Sequence, residues 1–321
     1  IIREGGVVFG AGFDENWEVK HDCTETVEGL SAFRGSKYVQ SRIGDSFKKA
    51  EQFLKIGRTV LFSGTPCQIA GLKRFLRKEY DNLLTVDFIC HGVPSPGVWR
   101  EYLKEETVRL YDRKNRFLSH PYQKEEVCIE GISFRDKCLG WKKFSFTLHV
   151  SVADRHGDKK SFLLSEPLDK NIFMRGFLAD LYLRPSCYAC PSKTFKSGSD
   201  ITIGDFWGVQ HVMPMIDDDK GVSVVMLNAI KGETYFRKIG LDSSIVGYEV
   251  VLRYNPSIEK SVSLTGKRKL FYSDTKATLD ERIENLCRLT YKQRLRMIFD
   301  IILGEKVKNF IKRHCLSKLE S

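Results

Sequence analysis

The sequence predicts an α/β fold: a parallel-sheet core with flanking helices, a β-rich insertion and a C-terminal basic helical tail. Three observations predict it. Between residues 45 and 111, helical periodicity alternates with short β-branched apolar runs, in the order helix, strand, helix, strand, helix. That order needs crossover helices and therefore parallel strands. From 132 to 164 the pattern changes to apolar–polar alternation, the period of a half-buried antiparallel strand. From Leu279 onward the chain is helical in pattern and rich in Lys and Arg.

The elements follow in order. Residues 5–20, GGVVFGAGFDENWEVK, read as a hairpin, with strands at Val7–Phe9 and Trp17–Lys20 and a bend over Gly10–Asp14. Residues 45–56 set Phe47, Ala50, Phe53 and Leu54 on one helical face, with Asp45 placed to cap it. RTVLFSG (58–64) is a buried strand. CQIAGLKRFLRKEY puts Ile69, Leu72, Phe75 and Leu76 at helical spacing. NLLTVDFIC is a second apolar strand, HGVPSP breaks it, and GVWREYLKEETVRLY is helical again. The alternating stretch at 132–164 turns at DRHGDKK, as a hairpin or meander. Residues 168–183 place Ile172, Phe173, Phe177, Leu178 and Leu181 on an apolar helical face. DITIGDFWG and VSVVMLNAI are strands, and KGETYFRKIG is a helix ended by a glycine.

Composition limits the function classes. With 321 residues the chain accommodates one large domain or two ordinary ones. An apolar content of 42% supplies a sizeable core, and no apolar run approaches the ~20 residues of a membrane span. No charged region leads into an apolar segment, so no signal peptide is visible and a cytoplasmic location is expected. A start at Ile1 that runs straight into strand-like sequence predicts a missing upstream portion. The net charge of +11 admits an anionic partner without naming one, and no nucleic-acid-binding signature is present.

The nine cysteines are an odd number in a long chain without an export signal. They therefore read as reduced thiols rather than a disulfide framework. Cys67 and Cys90 occupy equivalent places, each just beyond the carboxyl end of a predicted parallel strand and each followed by a helix. Open α/β sheets bind ligands on that side. Cys67 also stands at a helix start, where free N–H groups favour a thiolate and Pro66 lacks only an N–H that would be unpaired anyway. Alone, Cys67 reads equally well as a small buried apolar side chain. Cys187 and Cys190 form a CxxC, a spacing shared by zinc sites, iron–sulfur sites and thioredoxin-like redox pairs. Here it follows a helix, which weakens the redox-pair reading. Four loop cysteines suit zinc or a 4Fe–4S cluster, and residue chemistry alone does not separate the two. His91, next to Cys90, reads as a ligand, a proton relay or a loop-stabilising hydrogen bond. Cys23, Cys128, Cys138, Cys287 and Cys315 carry no such pattern.

The motifs SGTPCQIAGLKRFL, VDFICHGVPSP, CYACPSK and SDITIGDFWG, in that order, resemble the coenzyme F420 hydrogenase/dehydrogenase beta-subunit family. SKYVQS and ISFRDKCLGW add to the resemblance, which runs from about Gly5 to about Leu227 and favours bacterial members often fused to ferredoxin domains. It implies an iron–sulfur flavoprotein oxidoreductase that passes electrons between a cluster, FAD and a partner or deazaflavin substrate. Residue by residue, it makes Cys67, Cys90, Cys187 and Cys190 the 4Fe–4S ligands. It also implies one beta-subunit-like domain over 1–278, with the β-rich insertion at about 126–165 and the tail at 279–321.

For the flavin, the loop at 34–41 offers Gly35 and Ser36, the cation of Lys37 and the ring of Tyr38. These suit a phosphate or the electron-rich edge of a reduced flavin. Gly64 and Thr65 are placed to line the same crevice, and Asp205, Phe206 and Trp207 to wall it. Two family features are missing: an upstream glycine-rich stretch that contributes to flavin binding, and any C-x-x-C-x-x-C-x-x-x-C-P ferredoxin pattern. Electron entry is thus expected from a ferredoxin-like domain or protein. The acceptor is expected to be a deazaflavin or another small molecule. The basic tail interleaves Met297, Ile298, Ile301, Ile302 and Leu303 with Lys and Arg, a pattern for packing on the body, for peripheral contact with an anionic membrane or for an acidic partner. Two other functions stay open from sequence: a zinc-stabilised, non-enzymatic interaction domain of the same fold, and a reductase acting in glycan metabolism.

Overall fold

Short β-branched strands alternate with amphipathic helices, and the chain builds its centre this way. A computed structural model describes residues 1–115, 127–153 and 159–288. Strands β1 (Val7–Phe13) and β2 (Val19–Thr24) precede α1 (Ser46–Lys55), β3 (Val60–Gly64), α2 (Pro66–Leu76), β4 (Leu83–Phe88) and α3 (Pro96–Asn115). Strands β5 (Val127–Asp136), β6 (Ser145–Ala153) and β7 (Lys159–Pro167) follow, then α4 (Ile172–Leu178). The remainder is β8 (Ile201–Asp205), α5 (Val209–Val212), β9 (Ser223–Leu227), α6 (Ile230–Ile239), α7 (Tyr248–Tyr254), α8 (Gly266–Ser273) and α9 (Leu279–Cys287).

The main sheet runs β2-β1-β3-β4-β8-β9. Its inner pairings, β1 with β3, β3 with β4 and β4 with β8, are parallel, as the sequence pattern predicts. Both edge strands pair antiparallel, β2 as the return of a hairpin and β9 on β8. The β-rich insertion is a separate three-stranded antiparallel sheet, β5-β6-β7.

Buried hydroxyls and carboxylates staple the sheet where β4 meets β8. Asp200 accepts from the Thr85 amide and hydroxyl, both at 2.7 Å, and Thr202 donates to Asp87 at 2.5 Å. One core lies on the face covered by α1 and α2, around Phe9, Phe62, Ile69 and Leu72. A larger aromatic core joins the insertion sheet to α3 and α4, with Trp99, Phe134, Phe146 and Phe173 in mutual ring contact.

Several boundaries differ from the sequence reading. Gly10 and Gly12 lie inside β1 rather than in a bend, because Phe33 packs on them. A Cβ on Gly10 would stand 2.7 Å from the Phe33 ring. The turn falls later, where the Asp14 carboxylate accepts from the amides of Asn16 and Glu18. Phe75 and Leu178, expected inside, are 39% and 51% exposed. The helix predicted over 168–183 stops at Leu178, and Asp180 takes a left-handed φ of 58°. The chain there reverses to send Leu181–Leu183 into the aromatic core. Helices α7 and α8 are short and their apolar faces narrow, so periodicity does not mark them. The turn at 154–158, Cys315 and the tail beyond residue 288 lie outside the described residues; α9 is the tail's first segment.

Asn171 starts α4. Its Oδ1 accepts from the Met174 amide at 3.0 Å, and its Nδ2 donates to Tyr102 and Glu166. Asn171→Ala should destabilise the protein by about 1–2 kcal/mol, through the lost cap and the unpaired groups left behind. Chemical denaturation should show a lower midpoint at unchanged slope.

Candidate metal and cofactor site

The βα turn after β3 builds the first wall. Thr65 is extended (φ −67°, ψ 157°) and caps α2, while Pro66 opens the helix. The Gln68 side-chain oxygen, Oε1, accepts from the Thr65 amide at 2.9 Å and from its hydroxyl at 3.1 Å. This closes the turn and sets the exposed Cys67 thiol 3.2 Å from the Thr65 hydroxyl. Behind the turn, Gln68 donates to Ser41, and His21 spans Ser41 and the Ser63 carbonyl. Gly64 sits against this brace, since a Cβ there would lie 3.1 Å from the Gln68 side chain.

Cys90 follows β4 in the equivalent position. The CxxC reaches it because residues 93–95 and 182–184 pair as a short antiparallel bridge. Arg184 donates to the Val93 carbonyl and Ser95 to the Tyr182 carbonyl, each at 2.9 Å. Gly92 permits the approach: a Cβ there would come within 2.8 Å of the Leu183 side chain and 3.4 Å of the Cys187 Cβ. A 3₁₀ turn over Pro185–Ala189 then presents Cys187 and Cys190, the latter fixed by its amide on the Ser261 hydroxyl.

The result is one cleft of about 570 Å³, part of it open to solvent. Cys67, Cys90, Cys187 and Cys190 all line it. Among the described residues, no group of three Cys, His, Asp or Glu side chains is placed to hold a single ion. The four cysteines share the lining of one cleft without converging on a single point. Burial pushes the Cys90 thiol up to about 12; Lys193 opposes the shift, while Cys67, Cys187 and Cys190 add to it. Burial also raises Cys187, with Cys67 and Cys190 adding. Four thiolates so placed repel one another and need a cationic centre among them, so the donor set fits a thiolate-ligated metal group.

His91 also lines the cleft. Its Nε2 meets Asp180 at 2.7 Å and its ring stands edge-on to Phe177, so it does at least the loop-stabilising work expected of it. The opposite side of this aromatic contact leads to the flavin candidates. Tyr38 stacks on Phe177, with ring centroids 5.0 Å apart.

Burial raises the Tyr38 hydroxyl. The Arg135 charge and a Ser36 hydrogen bond oppose the shift, and Asp205 adds to it. Arg135 donates to Asp205 at 2.5 Å, and Trp141 donates to the other oxygen of Asp205 at 3.3 Å. Trp141 stacks on Trp207 at 4.7 Å, while Phe206 is buried in the core.

The flavin candidates thus fall into two groups. Gly64 and Thr65 belong to the cysteine wall. Ser36, Tyr38 and Asp205 gather round Arg135. Gly35, with φ of 78° and open space at its Cβ position, turns the loop beside them. Arg135 is the residue that sequence reasoning missed, although it stands in the motif ISFRDKCLGW. Its Nε and Nη2 are enclosed and have no hydrogen-bond partner. They are the donors an electron-rich ring edge or a phosphate would use, which fits a flavin.

Lys37 donates to the Arg34 and Gly35 carbonyls and lies 5.8 Å from the Phe13 ring centroid. Burial lowers it from 10.5 to about 8. At this one group the unfolded chain therefore binds more protons between about pH 8 and 10.5, so the Lys37 contribution to stability rises with pH across that window, against the opposite contribution of the raised Cys90 and Cys187 thiols. Lys37→Met should remove this contribution, so that the variant's stability gain over wild type is largest below pH 8 and shrinks toward pH 10.5, as paired thermal melts across the window would show.

The family model for the C terminus of the coenzyme F420 hydrogenase/dehydrogenase beta subunit matches residues 57–246. The match takes in all four cleft cysteines, Arg135 and Asp205, while Gly35–Tyr38 precede it. No curated protein matches the chain. Among solved structures, it is similar to a chain of a xenon-derivatised F420-reducing [NiFe] hydrogenase complex from Methanosarcina barkeri. Identity is 15% and the TM-score 0.40, covering 95% of this chain and 84% of that one. With more than half its length matched by that model, the chain belongs to the coenzyme F420 hydrogenase/dehydrogenase beta-subunit family, a family of oxidoreductases.

Proposed function

We propose that this protein is an iron–sulfur flavoprotein oxidoreductase. In this reading it passes electrons between a 4Fe–4S cluster, FAD and a partner or deazaflavin-type substrate. The observation that carries the reading is the meeting of Cys67, Cys90 and the Cys187/Cys190 pair, from three separate chain segments, on one cleft. When bound, a 4Fe–4S cluster supplies one-electron transfer and a flavin couples it to two-electron chemistry.

The chain's own residues hold and orient these groups. The four thiols are the cluster ligands. Thr65 positions one of them: its hydroxyl donates to Gln68 and closes the turn that presents Cys67. Arg135, Lys37 and Ser36 present positive charge and donors to the electron-rich parts of a flavin. Asp205 and Trp141 hold Arg135 in place. His91, Phe177 and Tyr38 pack in sequence from the cysteine cleft toward the Arg135 cluster, so they would lie on the side of each group that faces the other. The donor in this reading is a ferredoxin-like domain or protein.

Anaerobic protein supplied with FAD and reduced ferredoxin tests this. The reading predicts bleaching of the flavin absorbance in wild type and a loss of most of that rate in Cys90→Ala. Equal bleaching in both, or no bound flavin in either, would contradict it.

A further inference from the structure

Lys193 lies three residues beyond the CxxC and lines the cysteine cleft. Its ammonium donates to the Cys90 carbonyl and to the Ser257 carbonyl, each at 2.6 Å. Both partners are neutral, so neither cancels its charge. The other ionisable groups around the cleft do not supply a fixed positive charge in its place. Asp87, on the β4 wall, is buried and its carboxyl is raised by that burial, with hydroxyls of Ser197, Thr202 and Ser199 opposing. His91 is turned to Asp180. Arg184 is exposed and does not line the cleft.

We propose that Lys193 is a positioning residue that sets the reduction potential of the centre in this cleft. It holds a fixed positive charge against the Cys90 loop while tying that loop to the Pro256–Ile258 turn. The inference rests on the reading of the four cysteines as cluster ligands and adds to it a determinant of potential. A thiolate-ligated 4Fe–4S cluster carries net negative charge and gains one more unit on accepting one electron. A nearby cation stabilises the reduced form more than the oxidised one, and so raises the potential.

The test uses the full chain, reconstituted anaerobically with iron and sulfide, as wild type, Lys193→Met and Lys193→Arg. Iron and sulfide per chain are measured first. The potential is then found by titration with dithionite, read by absorbance and electron paramagnetic resonance. The expected result is a more negative potential in Lys193→Met at matched iron content, and recovery toward wild type in Lys193→Arg. Equal potentials in all three would overturn the inference and leave the cluster reading standing. Loss of iron from both variants alike would also overturn it, since the side chain would then be a brace and not a charge. A wild type that takes up no iron would overturn the cluster reading and this inference together.

Discussion

Cys67→Ala is expected to reduce the iron content of the anaerobically prepared protein to a small fraction of wild type while the fold persists. The Cys67 side chain is exposed on the first turn of α2, whereas Ile69, Leu72 and Leu76 on the same helix face the core. Removing an exposed thiol takes away no core contact, and the stability change should stay within about 0.5 kcal/mol. The cleft, in contrast, loses one of four ligands. Iron analysis with a thermal melt on the same sample separates the two effects. Unchanged iron would remove Cys67 from the site.

Gly92→Val should have nearly as large an effect without touching a cysteine. The valine Cβ would meet the Leu183 side chain at 2.8 Å, and its branches would press toward Cys187. Overpacking of this kind costs about 1–3 kcal/mol and is relieved by moving the neighbour. That neighbour carries the bridge bringing the CxxC to Cys90, so the two walls should part. Iron per chain should fall sharply in Gly92→Val and less in Gly92→Ala, where the flexible end of Leu183 can yield. Full iron in Gly92→Val would show that the close approach of Gly92 and Leu183 is not what assembles the cleft.

Much of this organisation is legible in the sequence, for physical reasons. The βα units from α1 to α3 declare themselves because buried parallel strands are continuous apolar runs and their helices keep a clean period. The insertion declares itself by period two. Cys67 and Cys90 pair in the sequence because each follows a strand of the same sheet, and the carboxyl ends of parallel strands share one edge. The convergence of Cys187 and Cys190 on them is not legible from spacing. It depends on a left-handed residue at Asp180 and a two-segment bridge at Pro94 and Leu183, neither of which has a periodic signature. Arg135 and Lys193 stay hidden for a related reason. A single cation in a strand or loop looks solvated until the fold places it against Asp205 or over a carbonyl pair.

Metal and sulfide analysis of the anaerobically isolated full chain tests the central claim most directly. The account predicts a brown protein with about four iron and as many sulfide per chain, lost when the cleft cysteines are replaced. A colourless protein with one tightly held zinc per chain, retained on the same four cysteines, would contradict it.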